Sequence, residues 1–234
     1  MRKNIAVLLA GGRGRRLGAE KPKQFLKLAE KTVLEHSLNA FQTCDLIDEI
    51  IIISHADFVQ EAEKIVSQTA AAKVKGVLPG GRERYDSSLA ALAAYEGESV
   101  NFVFHDAVRP AVSVALIDKV CAALETHEAV NVVLPAIDTM IEVDDCGKMI
   151  SLPDRSRLRR VQTPQAFRSE TIREAYRRAL LDPSFCGTDD CGVVFRYLPE
   201  TEIALVEGEE SNIKLTYPED IATLELHLSR TRRQ

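Results

Sequence analysis

"NIAVLLAGGRGRRLGAEKPKQF", residues 4–25, decides how the rest of the chain is read. Its first seven residues are nearly all apolar and stop abruptly at Gly11-Gly12. A strand buried on both faces reads this way in a parallel sheet covered by helices. Gly11, Gly12 and Gly14 then stand among five cations, Arg13, Arg15, Arg16, Lys21 and Lys23. The whole chain carries a formal net charge of −5, so this concentration of positive charge is local and needs a local cause.

The 234 residues are expected to form one α/β domain spanning 1–234, with a composition ordinary for a soluble globular protein. No apolar run approaches the ~20 residues of a membrane helix. The basic start "MRKN" precedes only six apolar residues and leads into arginines, unlike a signal peptide with its small-residue cleavage site. Five cysteines without a C-x-x-C spacing fit reduced thiols better than a zinc site or a disulfide set. The expectation is a cytoplasmic protein with no membrane partner. An acidic chain without long basic stripes also argues against nucleic acid, so the loop cations are aimed at something small.

The same design continues along the chain. Strands are expected at 48–54, at "AKVKGVL", at 100–105, at 129–136 and at 203–208. Helices are expected at 32–42, 58–70, from about Arg84, at 116–124, at 169–181 with Ser169 as its cap, and at 218–229 with Pro218 in its first turn. Strand and helix alternate, which predicts a mainly parallel sheet with helices on both faces. The pattern breaks after Ala136. "TMIEVDDCGKMISLP" alternates around a "DDCGK" turn and predicts a β-hairpin projecting as an arm at about 137–158.

In open parallel sheets ligands bind beyond the carboxyl ends of the strands. Glycines there let backbone NH groups approach an anion, and the arginines and lysines match several phosphate charges, so the opening loop reads as a triphosphate cradle. A G-x-x-x-x-G-K-[ST] loop is absent, and Gly12, Gly14 and Gly18 miss the G-x-G-x-x-G spacing of a dinucleotide site. Asp106 ends a buried strand, where a carboxylate needs a partner. It is either a Mg²⁺ ligand acting with substrate phosphates or one half of an ion pair with Arg109. His105 beside it reads as a packed, hydrogen-bonded residue rather than a catalyst.

Seven strings carry a resemblance: "AGGRGRRLGAEKPKQF" (10–25), "PGGRERYDSSLAAL" (79–92), "HDAVRP" (105–110), "PAIDTMIE" (135–142), "VQTPQAF" (161–167), "TDD" (188–190) and "NIKLTYPED" (212–220). Together they resemble the 2-C-methyl-D-erythritol 4-phosphate cytidylyltransferases and their relatives that act on ribitol 5-phosphate. The resemblance implies a Rossmann-like nucleotidyltransferase fold whose β-arm exchanges contacts in a homodimer. It implies that CTP and Mg²⁺ react with a polyol phosphate to give a cytidine diphosphate-linked alcohol and pyrophosphate, a step of the non-mevalonate isoprenoid pathway for the methylerythritol branch.

Carried over by position, Arg16, Lys23 and Lys214 act on the phosphates. Ala10, Gly11, Gly12, Gly14, Gly81 and Ser87 surround the nucleotide, and Asp106 is its metal-linked carboxylate. Arg109, Thr139, Arg155, Thr163 and Thr188 surround the acceptor, with Thr139 and Arg155 reaching from the arm into the neighbouring subunit. Arg159 stands where methylerythritol enzymes commonly place an aromatic residue, and "PAIDTMIE" fits the ribitol branch equally well. Methylerythritol phosphate is the favoured acceptor and ribitol 5-phosphate the alternative. A non-catalytic nucleotide-binding protein should have lost a phosphate cation or the carboxylate, and all are present. A sugar 1-phosphate nucleotidyltransferase fits "KPKQF" and "VQTPQAF" less well.

Overall fold

Strict alternation in the first strand builds both halves of the core. The structure is a computed structural model and describes residues 2–12, 21–187 and 189–231. In β1 (Asn4–Ala10), Ala6, Leu8 and Ala10 enter one apolar layer and Ile5, Val7 and Leu9 the other, because successive side chains of a strand point to opposite faces. The first layer is closed by α1 (Val33–Thr43), α2 (Val59–Gln68) and α4 (Val114–Thr126). The second is closed by α3 (Arg84–Ala94), α5 (Ser169–Ala179) and α6 (Asp190–Tyr197).

The expected sheet is present, with helices on both faces. β1 pairs in parallel with β4 (Glu49–Ser54) and β6 (Asn101–Asp106), and β4 pairs in parallel with β5 (Val74–Pro79). At the other side β7 (Ala129–Pro135) pairs in parallel with β11 (Ile203–Glu207). The seventh strand is a correction to the sequence reading. β10 (Arg159–Arg168) lies antiparallel between β6 and β7, giving the order β11-β7-β10-β6-β1-β4-β5. Its "RRVQTPQAFR" mixes charges, amides and a proline, which central strands normally exclude. The ladder to β7 shifts register between Gln162 and Gln165, where Pro164 sits.

Three further differences are local. α6 is only eight residues long and contains Gly192, too little periodicity to stand out. Ser169 is the first helical residue of α5 rather than its cap; its hydroxyl accepts from Val100 N and donates to Glu98 O, tying the helix to the strand beside it. The last helix, α7 (Asp220–Thr231), begins two residues beyond Pro218, with the Asp220 carboxylate accepting from Thr216 N and Tyr217 N.

α7 packs through Leu224 and Leu228 on Leu28, Val33 and Leu215. Leu28 belongs to a small hairpin of β2 (Lys27–Leu28) and β3 (Lys31–Thr32), whose turn residues Ala29 and Glu30 have φ of 46° and 75°. Thr32 and Glu35 then form a capping box that starts α1. The expected arm is a separate two-stranded sheet of β8 (Glu142–Val143) and β9 (Met149–Ser151). Its turn is closed by Asp144, whose carboxylate accepts from Cys146 N and Lys148 N, and by Gly147 at φ 77°. The cysteines are all free thiols; Cys44, Cys121 and Cys191 are buried.

Candidate active site

The carboxyl ends of β1, β4, β5 and β6 open onto one cleft of about 930 Å³. Close backbone approach shapes its floor. A Cβ built on Gly80 would sit 2.5 Å from Ser87 Oγ, and one on Gly11 would sit 3.3 Å from the same oxygen. Glycine at both positions therefore lets the first turn of α3 meet the end of β1 and presents Ser87 to the cleft. A Cβ on Gly81 would collide with Asp86, which forms the reciprocal capping box of α3 with Glu83.

Lys23 belongs to a short 3₁₀ turn, Lys23–Phe25, that is stapled from two directions. The Gln24 side chain donates to Ala10 O at 2.5 Å, fixing the turn to the end of β1. The Lys23 ammonium donates to Thr216 O at 2.9 Å and Leu215 O at 3.3 Å, and Lys214 precedes those two carbonyls. The 214–216 segment thus holds two lysines at the cleft although they are far apart in sequence.

Asp106, at the end of β6, is the electrostatic centre. Lys214 Nζ donates to its Oδ2 at 2.8 Å, Arg109 Nε stands 3.8 Å from Oδ2, and Arg84 Nε stands 3.9 Å from Oδ1. Burial opposes ionisation, but Lys214, Arg84 and Arg109 overcome it and hold the carboxyl down at about 2. Arg84 reaches further, donating from Nη1 to the fully buried Asp190 carboxylate at 2.7 Å. Burial disfavours its charge, yet Asp190 and Asp106 raise its pKa above the ordinary arginine value.

His105 is fully buried one residue earlier, and its hydrogen bonds fix its tautomer. Nε2 lies 3.1 Å from Arg109 O, so it carries the proton and donates. Nδ1 lies 3.1 Å from Thr163 Oγ1, and Thr163 Oγ1 accepts from Asp106 N at 3.1 Å, so the threonine proton points to Nδ1. Burial pushes the imidazole down to about 4, leaving it neutral. This matches the expected packed residue.

Of the residues singled out in the sequence, Ala10, Gly11, Gly12, Lys23, Gly81, Ser87, Asp106 and Lys214 line the cleft. Arg16, Gly14 and Thr188 lie outside the described residues. Arg109 and Thr163 are buried behind the cleft; Arg109 Nη1 donates to Asn212 O at 2.8 Å, and the Thr163 hydroxyl is engaged as above. Thr139 and Arg155 are exposed on the arm, where Arg155 Nη1 donates to Ile137 O at 3.0 Å. Arg84 and Gln24 are cleft residues that the sequence reading did not assign. Both lie within the strings that carry the resemblance, but nothing in the sequence marks Arg84 as the partner of Asp190.

Among the described residues no cluster of three or more His, Cys, Asp or Glu side chains is placed to hold a metal. The donor set fits Mg²⁺ in a mode usual for that ion, one carboxylate completed by substrate phosphates, because Asp106 is ionised and lies at the cleft wall.

Residues 4–230 match the model of the family described as 2-C-methyl-D-erythritol 4-phosphate cytidylyltransferase. The chain is 46% identical over 226 residues to an enzyme of that name from Thermobifida fusca, covering 94% of this chain and 91% of the relative. It is 43% identical over 222 residues to the bifunctional ribulose 5-phosphate reductase/CDP-ribitol pyrophosphorylase Bcs1 of Haemophilus influenzae, covering 94% of this chain but 47% of that protein. The crystal structure of 4-diphosphocytidyl-2C-methyl-D-erythritol synthase from Anaerococcus prevotii superimposes with a TM-score of 0.85 at 29% identity, covering 97% of this chain and 96% of that one. By the match over residues 4–230 and the 46% identity to the Thermobifida fusca enzyme, the chain belongs to the 2-C-methyl-D-erythritol 4-phosphate cytidylyltransferase family.

Proposed function

We propose that this protein joins CTP to 2-C-methyl-D-erythritol 4-phosphate, forming 4-diphosphocytidyl-2-C-methyl-D-erythritol and pyrophosphate. The observation that carries this reading is the convergence of Gly11, Gly12, Lys23, Ser87, Asp106 and Lys214 on one cleft in a chain of this family. An oxygen of the acceptor phosphate attacks the α-phosphorus of CTP, the bond to the bridging oxygen breaks, and pyrophosphate leaves with that electron pair. The attacking oxygen is already anionic at neutral pH, so the step needs no general base. Neutral His105, with both ring nitrogens committed, is consistent with that.

The obstacle is repulsion between two anions, so catalysis rests on charge and positioning. Lys23 is preorganised by two carbonyls to meet the α-phosphate and Lys214 stands beside Asp106; Arg16 is added only by its match to the family's sequence motif. Ala10, Gly11, Gly81 and Ser87 surround the cytosine. Asp106 would hold Mg²⁺, which would supply neutralising charge for the departing pyrophosphate.

We assign the whole chain to one domain in a cytoplasmic homodimer built through the arm. The arm leaves Ile137, Met140, Ile141, Val143, Met149, Ile150 and Leu152 about half exposed or more, which supports burial against a second copy. In that arrangement Thr139 and Arg155 serve the partner's cleft. Arg155 would grip the acceptor phosphate in two-pronged fashion, which lysine cannot reproduce.

The identity to the Haemophilus relative supports ribitol 5-phosphate as the second reading of the acceptor. Pyrophosphate release with CTP and Mg²⁺, compared between the two acceptors and with ATP, GTP and UTP in turn, tests both choices. Release with CTP and methylerythritol phosphate alone is the expected result. Release with ribitol 5-phosphate alone would move the protein to that branch, and release with neither would remove the proposal.

A further inference from the structure

Arg84 stands at a joint between two parts of the site. It is the first residue of α3, three positions before Ser87 at the nucleotide pocket, and its side chain is about three-quarters buried. One guanidinium edge faces Asp106 Oδ1 at 3.9 Å; another arm donates to Asp190 Oδ2 at 2.7 Å. Asp190 has no solvent exposure, and its other oxygen accepts from Tyr176 Oη at 2.6 Å. A neutral hydroxyl alone does not compensate a buried carboxylate, so Asp190 depends on Arg84 for its charge partner.

Asp190 opens α6, and the residues around it are fixed by polar contacts. Asp189 caps the helix by accepting from Gly192 N at 2.8 Å, and its second oxygen accepts from Gln165 Nε2 at 2.7 Å. Gln165, fully buried on β10, accepts in turn from Cys191 N at 3.2 Å. The start of α6 is therefore held by Arg84 from the nucleotide side and by Gln165 from the sheet.

We infer that Arg84 is a positioning residue that couples the nucleotide half of the cleft to the start of α6 at Asp189–Asp190, next in sequence to the acceptor position the resemblance implies, by bridging Asp106 on β6 and Asp190 on α6. The inference rests on the cytidylyltransferase reading above. Its chemistry is the fork of the guanidinium, which spans two carboxylates on separate elements; a lysine ammonium offers one point charge and cannot hold both. Loosening the bridge releases the start of α6 first, because the nucleotide keeps Gly11, Ser87 and Lys23.

The test is steady-state kinetics of wild type, Arg84→Lys, Asp190→Asn and the double variant, with CTP affinity measured by calorimetry without acceptor and folding checked by urea denaturation. The acceptor KM should rise about tenfold or more in each single variant, in line with the cost of a misplaced group, while CTP affinity changes about twofold or less. The double variant should be no worse than the poorer single one, since both remove one interaction. Free guanidinium ion should lower the acceptor KM of Arg84→Ala and leave that of Asp190→Asn unmoved.

An unchanged acceptor KM, or CTP affinity falling in step with it, would overturn the inference. A loss of folding stability with wild-type kinetic constants would make Arg84 purely structural and overturn it equally. Asp190→Asn keeps the test decisive where Arg84 variants fold poorly, because the amide retains a hydrogen-bonding oxygen for Tyr176. The two possible failures are distinct: no wild-type turnover with CTP removes the function itself, whereas normal wild-type turnover with unmoved variants removes Arg84's role alone.

Discussion

Acidification should weaken the fold through His105, and the size of the effect follows from its burial. The ring has no solvent exposure and titrates at about 4 in the folded protein, against 6.5 when unperturbed. Between those values the unfolded chain binds a proton that the native state refuses, so stability falls as pH falls. The contribution is fully present above pH 6.5, is lost progressively on the way down to 4, and the gap caps the loss at roughly 3 kcal/mol.

Two-state linkage with those two pKa values makes the loss about 2 kcal/mol between pH 7 and 5. For a chain of this length that corresponds to a fall in Tm of about 4–8 °C. Urea denaturation of wild type and His105→Asn at pH 7, 6 and 5 isolates the term, because every other titrating group is shared and only the difference in pH dependence matters. Wild type should lose about 2 kcal/mol more than the variant over that range. Parallel curves would show that His105 is protonated without penalty, and the Thr163 to His105 to Arg109 hydrogen-bond chain would then be wrong.

Other perturbations test the site and its supports. Lys23→Ala should abolish turnover while leaving the urea midpoint near that of wild type; near-normal activity would remove its role at the α-phosphate. Gly81→Ala forces a methyl into Asp86 and breaks the capping box of α3, costing about 2–4 kcal/mol by overpacking and lost capping; a Tm within about 2 °C of wild type would refute that packing. Glu30→Gly relieves a left-handed residue in the β2–β3 turn and should stabilise by about 0.5–1 kcal/mol after the entropy cost of glycine, measured by the same denaturation; a loss of stability would mean the turn is not strained. Ile150→Lys with Met149→Lys should convert a dimer to monomer in sedimentation and raise the acceptor KM together; an active monomer would count against arm exchange.

The strands that an apolar run announces were all legible, since a stretch such as "EIIIIS" has nowhere to go but the interior. β10 was not, because its register depends on partners in β6 and β7 rather than on its own pattern. Much of the site was legible because glycines and cations cluster within short stretches after strands. Arg84 was not, since its meaning lies in Asp190, 106 residues away, and Arg109 and Thr163 read as cleft residues although their polar atoms turn inward. Local chemistry is written locally, whereas a buried pair is written only in the topology.

The antiparallel placement of β10 has a consequence for how such a protein can diversify. Because β7 ends where β10 begins, with Pro135 opposite Arg159, residues 136–158 form in topological terms one long hairpin connection that leaves and re-enters the sheet at the ligand edge. Such a connection can be lengthened, shortened or exchanged without rerouting any crossover or disturbing the register of the nucleotide-side strands. A single contiguous cassette is thus the smallest unit in which the arm could be exchanged between relatives while the nucleotide-side strands keep their register.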